Sequence, residues 1–475
     1  MTTKKLIDLR TSQTVQAILL AILMALALGA CTTPAPYQKP AMDVPAAFKE
    51  SAIWKAARPD AATVPDDWWR LFNDPQLNAL QQQVVVGNEN LKASATQGEV
   101  ARAALGSTRA GLGPTLGASA GITSSVVPGG TNPATSNSIA ANASWELDLW
   151  GRVSGAVSAA EARLQASSAD LASARLSVQA LLTQTYFSLR SAESQAALLE
   201  RSVTAYQRSL ELTQNRYAGG VASAADVAQA TTQLRTTQAQ LIESHSNRAL
   251  LEHAIATLLG KPAAAFSLPS TATLPQAPVA PLQLPTQLLE RRPDIAAAER
   301  RVAAANAQIG VAQSAFFPAI TLSASAGLRG AELLDLISAP NLFWSLGPSL
   351  ALALFDGGAR KAAEASARAS TELAAASYRQ TVLVALQEVE DNLAAAASLE
   401  EQIVLQTDAL TAAQRNLEIT NNQYKAGTVS YLNVVTAQAT ALSAERTLLD
   451  VRNRRLVAIA LLLKNLGGRW DGGAP

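Results

Sequence analysis

One cysteine, two histidines, three methionines and 5% aromatic residues are all that this 475-residue chain contains of those types. A single cysteine, Cys31, excludes any intrachain disulfide. So few histidines and methionines leave no path lined by metal ligands, and His245 and His253 lie eight residues apart where helical metal sites favour three or four. Both read as solvated or interhelical histidines. No nucleophile with its base and no paired carboxylates stand out, so nothing points to an enzyme. Lys plus Arg (38) and Asp plus Glu (37) nearly cancel, which leaves neither a basic field for nucleic acid nor an acidic tail. Gly357-Gly358-Ala359-Arg360-Lys361 lacks phosphate-loop spacing, and a strand-to-helix bend accounts for its glycines. Beyond the N-terminus no run is long and apolar enough for a transmembrane helix, so a membrane span would have to come from strands.

What is abundant is alanine, glutamine and leucine in long helical patterns, and one stretch that occurs twice. Asn215-Arg216-Tyr217-Ala218-Gly219-Gly220-Val221-Ala222-Ser223-Ala224-Ala225-Asp226-Val227 aligns without a gap on Asn422-Gln423-Tyr424-Lys425-Ala426-Gly427-Thr428-Val429-Ser430-Tyr431-Leu432-Asn433-Val434. In each copy a glycine (Gly220, Gly427) stops one helix and a serine (Ser223, Ser430) starts the next, which makes a tight helical hairpin. Upstream of both turns apolar residues fall every seven places. The first seam is Leu182, Leu189, Ala196, Val203, Leu210 and Tyr217; the second is Val389, Ala396, Ile403, Leu410, Leu417 and Tyr424. Such a period predicts supercoiled helices. The return helices repeat it and are interrupted at Arg248 and again at Arg455. This is an internal duplication.

The ends and joints complete the plan. Lys4, Lys5 and Arg10 precede an apolar run from Val15 to Leu28, closed by Gly29-Ala30, so residues 1–30 read as a signal peptide. Cys31 after Leu28-Gly29-Ala30 resembles a bacterial lipobox, in which cleavage before the cysteine leaves it to carry lipid; the alternative is an incidental thiol. Residues 31–65 are a proline- and alanine-rich strap. Residues 66–265 form the first repeat, 266–285 a proline-rich crossover, and 286–470 the second repeat. Trp68, Trp69, Leu71 and Phe72 make an apolar knot, and Asp74-Pro75 starts one helix that runs to about Gly111. Within each repeat two segments alternate with period two: Leu116 to Thr123 and Ile139 to Leu149, then Ile320 to Arg329 and Trp344 to Leu354. Their polar faces carry Ser, Thr, Gly and Asn. Pro348 predicts a bend or bulge.

A helix from about Arg152 to Tyr217 would extend on the order of 100 Å. Four amphipathic strands of roughly ten residues suit a tilted membrane barrel but are too few to close one, and lipid does not tolerate open edges. Hydrogen-bond accounting therefore asks for several copies, unless the sheet is soluble with one wet face.

The chain resembles the TolC-type outer-membrane efflux proteins, in particular their lipid-anchored branch. The resemblance covers nearly the whole mature chain. It rests on Tyr217-x-x-Gly220, Tyr424-x-x-Gly427, Arg292-Pro293-Asp294, the run from Ala303 through Gly310 to Phe316-Phe317-Pro318, and Leu354-Phe355-Asp356-Gly357-Gly358. It implies a mostly α chain with a transmembrane β-barrel: a homotrimer sharing a 12-stranded outer-membrane barrel, four strands per chain, continued by a long periplasmic α-helical barrel and an equatorial belt. It implies a passive exit duct for small toxic or amphipathic compounds, working with a periplasmic adaptor protein and a proton-driven inner-membrane pump. No cofactor is implied beyond lipid on Cys31. A duct for secreted proteins and a coiled-coil scaffold are the alternatives. The same resemblance puts the two turns at the periplasmic tip, where tyrosines and acids narrow the pore. Tyr217, Asp226, Tyr424, Asn433 and Thr436 match that place. Ser223-Ala224-Ala225-Asp226 is also a capping box in its own right, and the two roles are compatible. Asn433 stands where the repeat predicts a second acid, and Val429 and Thr436 where relatives carry charge, so a lock made by packing is expected over one made by charge.

Overall fold

A computed structural model describes residues 37–50, 65–126, 134–271, 273–278 and 291–466. The signal peptide, Cys31, most of the strap and residues 279–290 of the crossover region lie outside the described residues. The chain forms two compact units, one holding residues 101–164 and 301–375, the other 41–100, 165–300 and 376–475. Each unit takes segments from both halves of the sequence.

The first unit contains the sheet. Four antiparallel strands, β1 (Thr115–Ser125), β2 (Ala134–Glu146), β3 (Ala319–Gly330) and β4 (Leu342–Ala351), lie in chain order. The register sets apolar residues beside apolar ones from β2 through β4. Trp145, Ala143, Ala141 and Ile139 of β2 face Leu322, Ala324, Ala326 and Leu328 of β3. Those in turn face Pro348, Leu346, Trp344 and Leu342 of β4. A one-residue slip would turn every one of these side chains to the other face, which is why the pattern holds the register. The opposite face aligns Gly117, Asn142, Ser325 and Ser345, with Ser325 and Ser345 hydroxyls 2.9 Å apart.

Two strand expectations need correction. Pro348 makes no bulge in β4: its register with β3 runs from Leu328↔Leu342 to Ala319↔Ala351 without an insertion. β4 is an edge strand of the chain's own sheet, the place where a missing N–H is tolerated. The strands also stop short of their alternating pattern, at Glu146 rather than Leu149 and at Ala351 rather than Leu354. After β4 the chain turns at Gly357 and Gly358, with φ of 64° and 95°. Asp356 there accepts from the Gly358 N–H at 3.0 Å and from Arg360 Nε at 2.6 Å.

The helices are α1 (Pro75–Gly87), α2 (Glu89–Ala110), α3 (Arg152–Ala218), α4 (Ala224–Leu258), α5 (Pro293–Ser314), α6 (Ala359–Lys425) and α7 (Tyr431–Leu466). The helix expected from Asp74 to Gly111 is in fact two. Asn88 breaks it: its amide donates to Val84 O at 3.1 Å while its side chain caps the next helix, accepting from Leu91 N–H at 3.0 Å and donating to Leu258 O at 2.7 Å. The reason is tertiary. A Cβ on Gly87 would overlap the Leu259 carbonyl, and one on Gly260 would overlap that of Gly87. The two backbones meet directly, and the helix ends to allow it. α5 ends at Ser314.

The second unit has the larger core. Trp68 and Phe72, in a 3₁₀ turn over Trp68–Phe72, pack with Leu77, Leu80 and Val84 of α1. Tyr186, Phe187 and Leu189 of α3, Val389 and Leu393 of α6, and Ile459 and Leu462 of α7 join them. Phe48 from the strap is buried in the same core, and the backbone N–H groups of Lys49 and Glu50 donate to the Glu390 carboxylate at 2.7 and 3.1 Å.

The arginine that interrupts each return helix has a partner. Arg248 Nε donates to Glu193 at 3.0 Å, and Arg455 Nη2 lies 3.2 Å from the Glu400 carboxylate. Both pairs are separated by the offset that relates Tyr217 to Tyr424, so the duplication carried an ion pair with it. The first pair is built into a larger buried network. Arg190 and Glu193 are each 1% exposed and 2.6 Å apart. Arg190 also donates to Pro269 O and Gln76, and Thr271 N–H donates to Glu193. These bonds tie the start of the crossover to α3.

Candidate functional site

The two hairpin turns lie in the second unit, and local chemistry builds both. At the end of α3, Val221 N–H donates to Arg216 O at 2.8 Å and Gly220 N–H to Tyr217 O at 2.9 Å. At the end of α6, Thr428 N–H donates to Gln423 O and Gly427 N–H to Tyr424 O, both at 3.0 Å. This pair of bonds is the Schellman motif. It needs a residue at positive φ, and Gly220 (73°) and Gly427 (79°) supply it. α4 then opens on a complete capping box: Asp226 N–H donates to Ser223 Oγ at 3.1 Å, and Ser223 N–H to Asp226 Oδ2 at 2.9 Å. At the second turn Asn433 N–H donates to Ser430 O at 3.2 Å.

The hairpins are joined by aromatic packing. Tyr206 and Leu210 of α3, Ala230 and Leu234 of α4, Tyr424 of α6, and Tyr431 and Val434 of α7 form one buried cluster, with Val429 against it. Tyr424 and Tyr431 meet edge to face, ring centres 5.3 Å apart. The Tyr431 hydroxyl lies 3.0 Å from Ser209 Oγ, and Tyr206 donates to Gln438 O at 3.3 Å. Burial pushes the hydroxyls of Tyr206 and Tyr431 above the ordinary tyrosine range. The Asp226 carboxylate adds to the shift at Tyr431. Arg216 reaches from the first hairpin to the second, its guanidinium 4.7 Å above the Tyr424 ring. Its Nη1 donates to the carbonyl of Lys425, the last residue of α6, at 3.3 Å. A cation at a helix C-terminus opposes the helix dipole and uses a carbonyl the helix leaves open.

The residues expected at the tip are thus split. Tyr424 is buried in the junction between hairpins. Tyr217 is 51% exposed and leaves the seam it was assigned to. Asp226 is committed to its cap. Asn433 and Thr436 are exposed on the first two turns of α7, Thr436 donating to Leu432 O at 2.9 Å. Arg216 and Tyr431 were not anticipated. The signal for both was present: they stand where the other copy has Gln423 and Ala224, so a position-by-position reading of the duplication singles them out. His245 lies on the surface, 3.8 Å from Glu200.

The model of the outer membrane efflux protein family matches residues 80–261 and 284–468. The chain is 32% identical over 463 residues to outer membrane protein OprJ of Pseudomonas aeruginosa, covering 95% of this chain and 96% of that protein. It is 30% identical over 459 residues to SilC of Salmonella typhimurium, described as a probable outer membrane lipoprotein, covering 95% and 98%. Among solved structures, the outer-membrane channel OprN superposes with a TM-score of 0.86 at 30% identity, over 93% of this chain and all of that one.

Proposed function

The chain belongs to the outer membrane efflux protein family, and from that premise we propose how its parts serve an outer-membrane efflux duct. Three copies close one 12-stranded barrel. The observation that carries this is the sheet itself. It has four strands with β1 and β4 at free edges, and Leu116, Ile122, Ile139, Leu342, Trp344, Leu346 and Leu350 are exposed on it. In lipid those edges must be paired, and further copies of the same sheet can pair them. The apolar rows then face acyl chains and the Ser, Thr, Gly and Asn face lines water.

Transport through such a duct is passive. Its cargo is small toxic or amphipathic compounds, delivered by a proton-driven inner-membrane pump through a periplasmic adaptor. Residues 66–265 and 286–470 act as two structural repeats about the 266–285 crossover, a reading supported by the repeated Glu193–Arg248 and Glu400–Arg455 pairs. Cys31 carries the lipid anchor, supported by the likeness to SilC. Cys31→Ala should abolish labelling by radioactive palmitate and leave trimers intact; labelling that persists would refute the anchor. The periplasmic end closes at the paired hairpins, with Tyr217, Asp226, Tyr424, Asn433 and Thr436 around it, and packing about Tyr424 supplies most of the closure.

The experiment that tests the duct is twofold. Purified protein should run as heat-resistant trimers and conduct in planar bilayers. Deleting the gene should raise drug sensitivity and leave the secreted proteins unchanged. Loss of a secreted protein with unaltered sensitivity would favour a secretion duct, and no conductance would favour a scaffold.

A further inference from the structure

The polar face of the sheet carries two charged side chains among the described strand residues. They lie at opposite ends. Glu146, at the end of β2 nearest α3, is held by both Arg152 Nε and Nη2 at 2.6 Å, so its charge is matched. Arg329, one residue from the far end of β3, shares the polar face with Ser323, Ser325 and Gly327. Its partner is aromatic: the guanidinium lies 4.9 Å from the centre of the Phe343 ring. Phe343 stands directly across from Gly327 in the register.

That arrangement orients the cation without neutralising it. An aromatic face attracts a guanidinium through its quadrupole and carries no net charge, whereas a carboxylate would cancel the field. The rest of that face on β1 to β4 is neutral, and the β1–β2 connection has no charged residue in its sequence from Val126 to Pro133. Glu332 and Asp335, both exposed, follow β3 in the connection to β4, and they are the acids that could oppose Arg329.

We propose that Arg329, held by Phe343, is the charge-selecting residue of the outward end of the lumen, and that its three symmetry copies favour small anions over cations. This rests on the channel reading of the preceding section. Rings of like charge around a pore are a general means of selecting ions. Three guanidiniums at about 10 Å from a permeating ion act through water, so the effect is several-fold, and it is screened once the Debye length falls to that distance near 0.1 M salt.

The test is the anion-to-cation permeability ratio of the full-length trimer, from reversal potentials in planar bilayers under a dilute potassium chloride gradient. Wild type should favour chloride. Arg329→Gln should lower the ratio roughly two- to threefold, Arg329→Glu should invert it, and Phe343→Leu should fall between wild type and Arg329→Gln. Raising the salt should shrink all these differences. A ratio unchanged in both Arg329 variants, or a cation-preferring wild type traced by Glu332→Gln with Asp335→Asn to the acids, overturns the proposal. Wild-type trimers that do not conduct at all would instead refute the channel reading, so the two failures are distinct. Heat-resistant trimer on a gel serves as the folding control for each variant.

Discussion

Arg216, from the last turn of α3, covers the ring of Tyr424, from the last turn of α6, at 4.7 Å. Its side chain both stacks on the second hairpin and donates to that hairpin's helix end, at Lys425 O. The duplication placed a tyrosine in each copy, and Arg216 and the aromatic cluster cover the second. Tyr424 is buried and Tyr217 is not.

Removing that cover should loosen the second hairpin. Arg216→Ala forfeits a cation–π contact and a helix-end hydrogen bond, together about 1 kcal/mol. Hydrogen exchange should rise several-fold at the amides around Tyr424 to Val434, with little change in the strands. Arg216→Gln, which copies Gln423, should do nearly the same. Unaltered exchange in both variants would mean that the hairpins are held by the tyrosine cluster alone.

Asp226 is engaged in its capping box, so Asp226→Ala should cost about 1 kcal/mol at the start of α4. Its effect on single-channel conductance should be modest. A many-fold rise would show that the carboxylate itself carries the closed state, and the packing account of closure would then be abandoned.

The two copies of the arginine–glutamate pair should differ sharply in worth. Glu193 is 1% exposed and compensates Arg190, itself 1% exposed, so Glu193→Gln leaves a buried cation poorly matched and should cost about 3–5 kcal/mol. Glu400, on the equivalent pair, is 64% exposed, and Glu400→Gln should cost less than about 1 kcal/mol. Thermal melts of the two variants, run side by side, check this. Equal losses would contradict the burial argument.

Stability should fall in acid through Asp294. Burial raises its carboxyl pKa, but the Arg292 guanidinium, bonded to it at 2.7 Å, prevails and holds it below the ordinary value of 3.8. A carboxylate with a depressed folded pKa stabilises above its unfolded value, and that contribution is lost as pH falls through the folded one. Asp294→Asn should therefore lower the melting temperature at neutral pH. The gap from wild type should narrow as pH drops below about 3.8. A gap independent of pH would remove the linkage to this residue.

What was legible beforehand shares a short range. The Schellman glycines and the Ser223–Asp226 box involve partners within five residues, so the amino-acid order alone determined them. Periodicity determined the helices and the two faces of each strand, because 3.6- and 2-residue repeats are properties of the local backbone. Length and the count of four strands determined that one chain cannot close a barrel. Only the tertiary structure decided that β2 pairs with β3, joining the two halves of the duplication in one sheet. It alone decided that Asn88 breaks a helix because Gly87 meets Leu259 and Gly260. Pro348 keeps its place in the ladder with β3, where it pairs with Leu322. Arg216 finds Tyr424 across more than two hundred residues of chain, and no local pattern encodes a contact whose partners meet only after both hairpins have packed.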